Sequence, residues 1–267
     1  MIFARWVLYV GALGLVGAFG ATLLARTLHA RVVTAARVSS VIVLIAILAI
    51  FSVQRYVWFG GDGITEWENA WLIVSETVWG TRWTWLAVVA VMAVVLLPFA
   101  QRRRAWWVCA TGIVSVAICA SAPLIGHAGS HELTTRVLHS GHLFGAGLWL
   151  GSLAVTLIAG LRTPDELLAT LRRFAPFALT GAAMVAVTGV LISWEHLDPI
   201  SALWTTRYGQ VLGAKVAGVV VIAALGFVNW RGPRVATVIA EVTLAFTLVL
   251  ALAAWLSELP IARMRSH

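Results

Sequence analysis

Charged side chains are scarce in this chain. Of its 267 residues, 11% are charged and 61% are hydrophobic. Such a composition cannot cover a single core of this size with a polar surface, so it excludes one soluble globular domain. Apolar runs of about 20 residues, the length that spans a hydrocarbon core about 30 Å thick, recur along the sequence. The composition therefore predicts a protein embedded in lipid.

Other familiar patterns are also missing. The only two cysteines, Cys109 and Cys119, fall in one apolar run, and ten helical residues separate them by about 15 Å, beyond disulfide reach. The ten-residue alternation of membrane β-strands is absent. So are a Walker loop, a dinucleotide fingerprint, a clear internal repeat and a Ser/Gly-rich linker. The sequence therefore gives no indication of ATP as an energy source and predicts a single domain over residues 1–267.

The apolar runs predict about eight membrane-spanning segments. In lipid each span must satisfy its own backbone hydrogen bonds, and an α-helix does so. The expected fold class is all-α: a polytopic membrane protein built as a bundle of about eight transmembrane helices. The predicted spans are 6–25, 38–56, 83–100, 106–124, 133–160, 174–194, 211–230 and 235–257.

The arginines predict the orientation of these spans. The connections after the first, third, fifth and seventh spans hold 11 of the 19 basic residues, against only two acids, and the positive-inside rule places them in the cytoplasm. Both termini are then extracytoplasmic. The formal charge of +8 mostly reflects this topology and attraction to a lipid bilayer, so nucleic acid is not an expected partner. Most acids fall on the outer side: Asp62, Glu66, Glu68, Glu76, Glu132, Glu195, Asp198 and Glu258.

Histidines cluster at the outer mouth of the predicted bundle. His127 and His131 are four residues apart, and His139 and His142 are three apart, so each pair shares one face of a helix. His196, at the outer end of the sixth span, is placed to join them. Imidazole suits copper and zinc, and surroundings poor in carboxylates and water favour the softer ion. Because polar groups inside a bundle are costly, the cluster predicts a metal site.

Five further ionisable residues have candidate roles. Glu132, Glu195 and Asp198 are candidates for partners that orient the imidazole rings. Lys215 lies about one turn into the seventh span from the outside, and Glu241 about two turns into the eighth from the cytoplasm. Their different depths do not favour a direct ion pair. A carboxylate at the depth of Glu241 is protonated, paired with an arginine, or part of an ion or proton path, and these alternatives stay open.

The segment GHAGSHELTTRVLHSGHLFGAGLWLGSL resembles the "GHA … H … WxGG" core of the CopD family of bacterial copper-resistance membrane proteins. Later segments resemble that family's "RF … TG" and "YGxxLxxK … N" stretches. The resemblance covers roughly residues 121–260, and Ser152 departs from it where the family often has a second glycine. The matching residues are Gly126, His127, Ala128, His139, Trp149, Gly151, Arg173, Phe174, Thr188, Gly189, Tyr208, Gly209, Lys215, Asn229, Glu241 and Pro260.

The resemblance implies a function and a location. CopD proteins are eight-span proteins of the bacterial inner (cytoplasmic) membrane that move copper, commonly thought to import it from the periplasmic carrier CopC. By this resemblance the chain is a multi-pass copper transporter rather than an enzyme, with a CopC-like carrier as its partner. Whether the ion is Cu(I) or Cu(II) stays open.

On this hypothesis copper is captured at the outer mouth and passed inward. His127 binds the ion with His139 and His142, and a polar seam bounded by the fifth to eighth spans carries it across. Methionine is rare, with four residues and no ladder of thioethers along one helix. The residues assigned to the path itself are Lys215 and Glu241, which set its electric field, and Met184, which lies mid-span.

Two other classes of protein remain open. A b-type haem protein needs histidines at matched depth on separate helices, which His196 and a residue of the fifth span would supply. A non-transporting subunit of a larger membrane complex would use the Trp-rich segment 64–80 as its docking surface.

Overall fold

The computed structural model describes residues 1–24, 28–61, 66–126, 132–159, 164–197, 200–232 and 234–259, without the side chains of residues 164–172. The described residues are overwhelmingly helical and include no β-strand. They confirm the predicted all-α, polytopic membrane fold, and each predicted span overlaps one segment that is long and apolar enough to cross a bilayer. These eight segments are Ile2–Leu24, Ala30–Phe59, Val78–Ala100, Arg104–Ile125, Leu133–Ile158, Arg173–His196, Arg207–Arg231 and Val235–Leu256.

The first four spans include one short extra helix. Helix α3, between the second and third spans, is too short to cross a membrane and exposes Trp67 and Trp71. A 3₁₀ turn, Ala122–Ile125, extends the fourth span. The helices of this half are α1 (Ile2–Leu24), α2 (Ala30–Phe59), α3 (Trp67–Glu76), α4 (Val78–Ala100) and α5 (Arg104–Ser121).

Two of the last four spans are interrupted by wider π-helical turns, which are often found at functional sites. Gly147–Gly151 divides the fifth span and Ala245–Val249 divides the eighth. The helices of this half are α6 (Leu133–Ala146), α7 (Ser152–Ile158), α8 (Pro164–His196), α9 (Ala202–Thr205), α10 (Arg207–Arg231), α11 (Val235–Leu244) and α12 (Leu250–Leu256).

Local sequence signals set several helix ends. The Thr77 hydroxyl accepts a hydrogen bond from the Gly80 amide at 2.8 Å and caps α4, and Thr206 caps α10 in the same way through Gly209 at 3.0 Å. Helix α2 stops at Gly60, whose φ of 74° lies in the left-handed region that glycine adopts without a steric penalty. These caps place both helix starts next to the preceding short helices, α3 and α9.

Helix α1 packs against α2, α5, α7, α12 and the π-helical turn Gly147–Gly151. Its approach to that turn is very close. A Cβ atom on Gly17 would lie 2.2 Å from the Gly151 carbonyl oxygen, and one on Gly151 would lie 2.1 Å from the Leu13 carbonyl oxygen. Glycine is therefore required at both positions, because any side chain would push the two backbones apart.

We expect Gly151→Ala to destabilise the bundle by about 1–3 kcal/mol, the usual cost of overpacking a tight contact. Thermal unfolding in detergent measures this as a lower midpoint. Gly213→Ala is the matched control, because a Cβ atom there meets no atom within 4 Å and alanine favours the helix. If the two variants melt alike, the close contact between α1 and the π-helical turn is not rigid.

Arg5 and Glu258 lie at the same end of the bundle, where the Arg5 guanidinium forms an ion pair with Glu258 and donates to the Ile125 carbonyl at 3.3 Å. We call this the acidic end, after Glu66, Glu68, Glu76, Glu132, Glu195 and Glu258. At the opposite end, Arg104 donates to Thr22 O at 3.0 Å and Arg31 to Ala159 O at 3.3 Å. This arginine-rich end also holds Arg37, Arg102, Arg103, Arg173, Arg231 and Arg234.

The two ends separate charge as the positive-inside rule expects. The cytoplasmic location of the arginine-rich end, and the extracytoplasmic location of both termini, remain predictions. Of the charged residues in the loops, Arg26, Asp62, Arg162 and Asp198 lie outside the described residues.

Candidate functional site

Glycines bring α6 and α8 into direct contact. A Cβ atom on Gly145 would lie 2.8 Å from Met184 Cβ, and one on Gly181 would lie 2.8 Å from the Trp149 amide nitrogen. Nearer the acidic end, Gly189 leaves room for the His142 ring, whose Cε1 would lie 3.2 Å from an added Cβ. The polar residues of these two helices therefore face each other inside the bundle.

Two imidazoles meet where α6, α8 and α10 converge at the acidic end. The ring centroids of His139 on α6 and His196 on α8 are 5.7 Å apart, with the rings edge to face at 73°. His196 is buried and stacks on Tyr208 of α10, with centroids 6.2 Å apart and an interplanar angle of 12°. The sequence places these histidines 57 residues apart, and the fold brings them into contact.

The backbone fixes which nitrogen of His196 can bind a metal ion. Its Nδ1 lies 2.8 Å from the Ile192 carbonyl oxygen. A carbonyl only accepts, so Nδ1 carries the proton and donates, which leaves the lone pair on Nε2. Metal-binding histidines commonly donate their second ring N–H to a backbone carbonyl in this way. His196 therefore has the bonding pattern of a metal ligand.

His142 is oriented by the same logic through a hydroxyl. Its Nδ1 lies 3.0 Å from Thr188 Oγ1, and Thr188 Oγ1 donates its single proton to the Met184 carbonyl at 2.5 Å. The hydroxyl must then accept from His142, so Nδ1 carries the proton and Nε2 the lone pair. His139 and Lys215 both lie close enough to act electrostatically on this ring.

The three acids predicted to orient these imidazoles differ in their surroundings. Glu195 accepts a hydrogen bond from Thr135 Oγ1 at 2.8 Å, which joins α8 to α6 next to the histidines. Glu132 precedes α6 and is exposed. Asp198 lies outside the described residues. Their role as partners that orient the imidazoles remains a prediction.

The structure describes only three of the five predicted metal-binding histidines. His127 and His131 lie outside it, and among the described residues no three His, Cys, Asp or Glu side chains converge closely enough to hold a metal ion. The structure thus brings together His139 and His196 and places His142 one turn deeper on the same helix. Metal binding by any of these residues remains a prediction.

Met184 lies deeper in the bundle, where α8 crosses α6. It is half-buried and packs beside a small apolar cluster formed by Val16, Cys119 and Leu148. Its carbonyl oxygen accepts a hydrogen bond from the Thr188 hydroxyl, so its backbone lies next to the His142 site. Its side chain packs in the apolar interior. Met184 therefore contributes to the contact between α6 and α8.

Glu241 on α11 is buried in the bundle, with 2% of its surface exposed. Asn229 Nδ2 donates to its Oε2 at 2.8 Å, and Thr237 Oγ1 donates to Asn229 Oδ1. The Trp149 side chain of the π-helical turn lies close enough to act on this carboxylate, and Gly226 leaves space beside it. The described partners of Glu241 are thus neutral donors, and no arginine is among them.

Lys215 and Glu241 are far apart, as their positions in the sequence predict. Asn229, which bonds to Glu241, follows Lys215 by 14 residues on α10, about 21 Å along the helix axis. Lys215 is half-buried near His142 toward the acidic end, while Glu241 lies toward the arginine-rich end. The two groups therefore act on different parts of the bundle.

Two hydroxyl donors were not apparent from the sequence pattern. The hydroxyls of Thr135 and Thr237 each donate to a polar side chain on another helix, Glu195 and Asn229 respectively. A threonine in an apolar run gives no signal of such a role. Thr188, Tyr208 and Asn229 were marked by the family resemblance, and the structure gives each of them a contact with a candidate site residue.

Comparison with known proteins covers both halves of the chain. Residues 1–137 match the family model "Copper resistance protein D-like, N-terminal domain", and residues 168–265 match the model "Copper resistance protein D". The chain is 29% identical over 167 residues to the copper transport protein CutJ of Bacillus subtilis (strain 168). That alignment covers 58% of this chain and 31% of CutJ, so the chain matches about a third of the relative's length. No solved structure matches. The chain belongs to the copper resistance protein D (CopD) family.

Proposed function

We propose that this protein transports copper ions across the bacterial inner membrane. The observation that carries the proposal is the meeting of His139 and His196 at the acidic end, with His142 one turn deeper. Two of these three rings have Nε2 as the nitrogen with the lone pair, because their Nδ1 atoms donate to fixed acceptors. Imidazole nitrogens held in this way suit copper.

The arrangement of α6 supports a path from the acidic end inward. His139, His142, Gly145 and Trp149 follow one another along this helix at intervals of about one turn, over about 15 Å. Met184 lies against Gly145, and the Trp149 side chain reaches Glu241. A cation that follows α6 therefore meets imidazoles, then a thioether, then a carboxylate. Polar groups of this kind are rare inside membranes and commonly mark ion pathways.

Lys215 has a role in release on this proposal. Its ammonium group acts electrostatically on the His142 site, where it opposes the binding of a second positive charge. Conduction requires sites that bind firmly enough for the ion to enter and weakly enough for it to leave. Lys215 keeps the affinity of the His142 site low enough for copper to pass toward Met184.

The direction we propose is uptake, from a periplasmic CopC-like carrier at the acidic end. Helix α3 there exposes Trp67 and Trp71, with 77% and 61% of their surfaces accessible, and Glu68 lies on the same helix. Large aromatic side chains are favourable contacts at protein interfaces. No covalent chemistry is required of the protein, so we assign it no enzymatic activity.

Copper flux into liposomes tests this function directly. We expect the purified protein, reconstituted into vesicles that enclose a copper-sensitive dye, to admit externally added copper faster than protein-free vesicles do. Both Cu(II) and copper kept as Cu(I) by a reductant should be offered, because the oxidation state is open. Equal rates with and without the protein, for both ions, would contradict the proposal.

A b-type haem protein is the second candidate, favoured by one observation. His139 and His196 come from separate helices and lie at the same depth, as paired axial ligands of a haem iron do. An absorption spectrum of the purified protein separates the candidates. A Soret band that is lost in a His139→Ala variant would assign the pair to haem rather than to copper.

A further inference from the structure

A long apolar groove runs between α4 and α5 on the lipid-facing side of the bundle, away from the histidines. Its volume is about 880 Å³, within the range of about 300–1,000 Å³ typical of ligand sites. The side chains of Phe99, Trp106 and Ile113 on its walls have 63%, 68% and 70% of their surfaces exposed. The groove is therefore open toward the surrounding membrane and lined with groups that hydrocarbon solvates.

One end of the groove is strongly basic. Arg102 and Arg103 line it at the arginine-rich end and are the only charged residues among those that line it. Neither guanidinium has a hydrogen bond or ion pair with another of the described residues. The sequence also contains no acid between Glu76 and Glu132, so α4 and α5 provide no carboxylate to neutralise them. Two exposed guanidinium groups at the end of an apolar channel are therefore available to an anion from outside the chain.

The length of the groove fits one leaflet. From Arg103 to Ala117, the most distant lining residue on α5, the axial distance is about 21 Å at 1.5 Å per residue. Half of a hydrocarbon core about 30 Å thick is about 15 Å. An acyl chain that starts below the arginines would thus lie in the groove over its whole depth in that leaflet.

We propose that this groove binds an anionic phospholipid, with the phosphate on Arg102 and Arg103 and an acyl chain between α4 and α5. Charge complementarity supports this occupant, since guanidinium groups pair with phosphate oxygens in a bidentate manner. The positive-inside rule predicts that the arginine-rich end faces the cytoplasm, where anionic lipids attract basic residues near the membrane surface. The site is separate from the copper path, because it lies on the first half of the chain. It would anchor α4 and α5 in the membrane.

Cys109 offers a direct test, because its thiol is exposed and lines the groove, whereas Cys119 is buried and serves as an internal control. In detergent, alkylation of Cys109 by N-ethylmaleimide is followed by mass spectrometry while phosphatidylglycerol or phosphatidylcholine is added. We expect phosphatidylglycerol to slow the reaction several-fold and phosphatidylcholine to have little effect. Equal slowing by both lipids, or by neither, would overturn the proposal.

Charge variants distinguish specific binding of the lipid headgroup by Arg102 and Arg103 from general electrostatic attraction to the basic end of the protein. Arg102→Gln with Arg103→Gln should abolish the preference for phosphatidylglycerol, whereas the corresponding lysine pair should retain most of it. Arg37→Gln with Arg234→Gln removes the same charge from exposed positions at the same end, outside the groove, and should leave the preference intact. A loss of preference in this control would refute a specific headgroup site. Protection of Cys109 before any lipid is added, together with a dimeric mass, would instead assign the groove to a second copy of the chain.

Discussion

Replacing His139 with alanine and His196 with phenylalanine in one variant is expected to reduce copper uptake by tenfold or more. The change removes both imidazoles from the contact between α6 and α8. Loss of groups that only orient metal ligands already costs about 10–100-fold in metal affinity or activity, so loss of the ligands themselves should cost at least as much. Phenylalanine at position 196 keeps an aromatic ring against Tyr208 and so limits damage to the packing.

The measurement is copper flux into liposomes, together with the copper content of the purified protein. His29→Ala is the control: His29 precedes α2 at the arginine-rich end, far from the proposed site, and its loss should change neither quantity. If the double variant binds and transports copper as the wild-type protein does, the histidine site is assigned wrongly. A variant that keeps bound copper but loses flux would place the capture site elsewhere, at His127, His131 or His142.

The eight spans were predictable because length and hydropathy alone define a membrane helix. Each span must hold its own backbone hydrogen bonds, so its existence does not depend on its neighbours. The predicted and observed boundaries differ mainly at helix starts: the third span begins at Val78 rather than at residue 83, because Thr77 caps it. A cap of this kind is a local signal, which a search for apolar runs alone does not detect.

The contacts at the candidate site depend on how the helices are positioned along and around one another. The spacing of apolar residues in the sequence does not determine this arrangement. The pairing of His142 with Thr188 requires Gly189 and Gly145 to admit close approach of α6 and α8. The partner of Glu241 is likewise a neutral amide on α10, where the charge pattern offered an arginine as one alternative. The sequence could therefore name His142 and Glu241 as candidates, but their partners followed only from three-dimensional packing.

The two π-helical turns could not be predicted from the sequence. Gly147–Gly151 lies in an unbroken apolar run, and its wider turn is accompanied by the contact of Gly151 with the Leu13 carbonyl on α1. The Phe246 carbonyl in the second π-helical turn accepts a hydrogen bond from the Trp6 indole at 2.7 Å. Both turns contact α1, so their position reflects tertiary contacts rather than local propensity.

Glu241→Gln is expected to retain the fold and copper binding at the histidines but to lower copper flux by about tenfold or more. Glutamine has the same shape, and its carbonyl oxygen can still accept from Asn229 Nδ2, so the buried hydrogen bond survives. The negative charge is lost. Close charge pairs in desolvated surroundings contribute about 1.5 kcal/mol or more, which corresponds to about a tenfold change in rate. Copper flux and the amount of bound copper, both measured on the same preparation, distinguish a defect in transport from a defect in binding.

Comparison with two further variants decides between a path and a structural role for this carboxylate. Glu241→Leu leaves the Asn229 amide without its acceptor in the interior, at a cost of about 1–3 kcal/mol, so it should lower the melting temperature as well as the flux. Glu76→Gln removes an exposed carboxylate at the acidic end, at the last residue of α3, and should affect neither property. If Glu241→Gln transports copper normally while Glu241→Leu is unstable, the carboxylate only joins α10 to α11. If Glu241→Gln is stable but slow, its charge acts on the moving ion, and the polar seam extends from the histidines to the arginine-rich end.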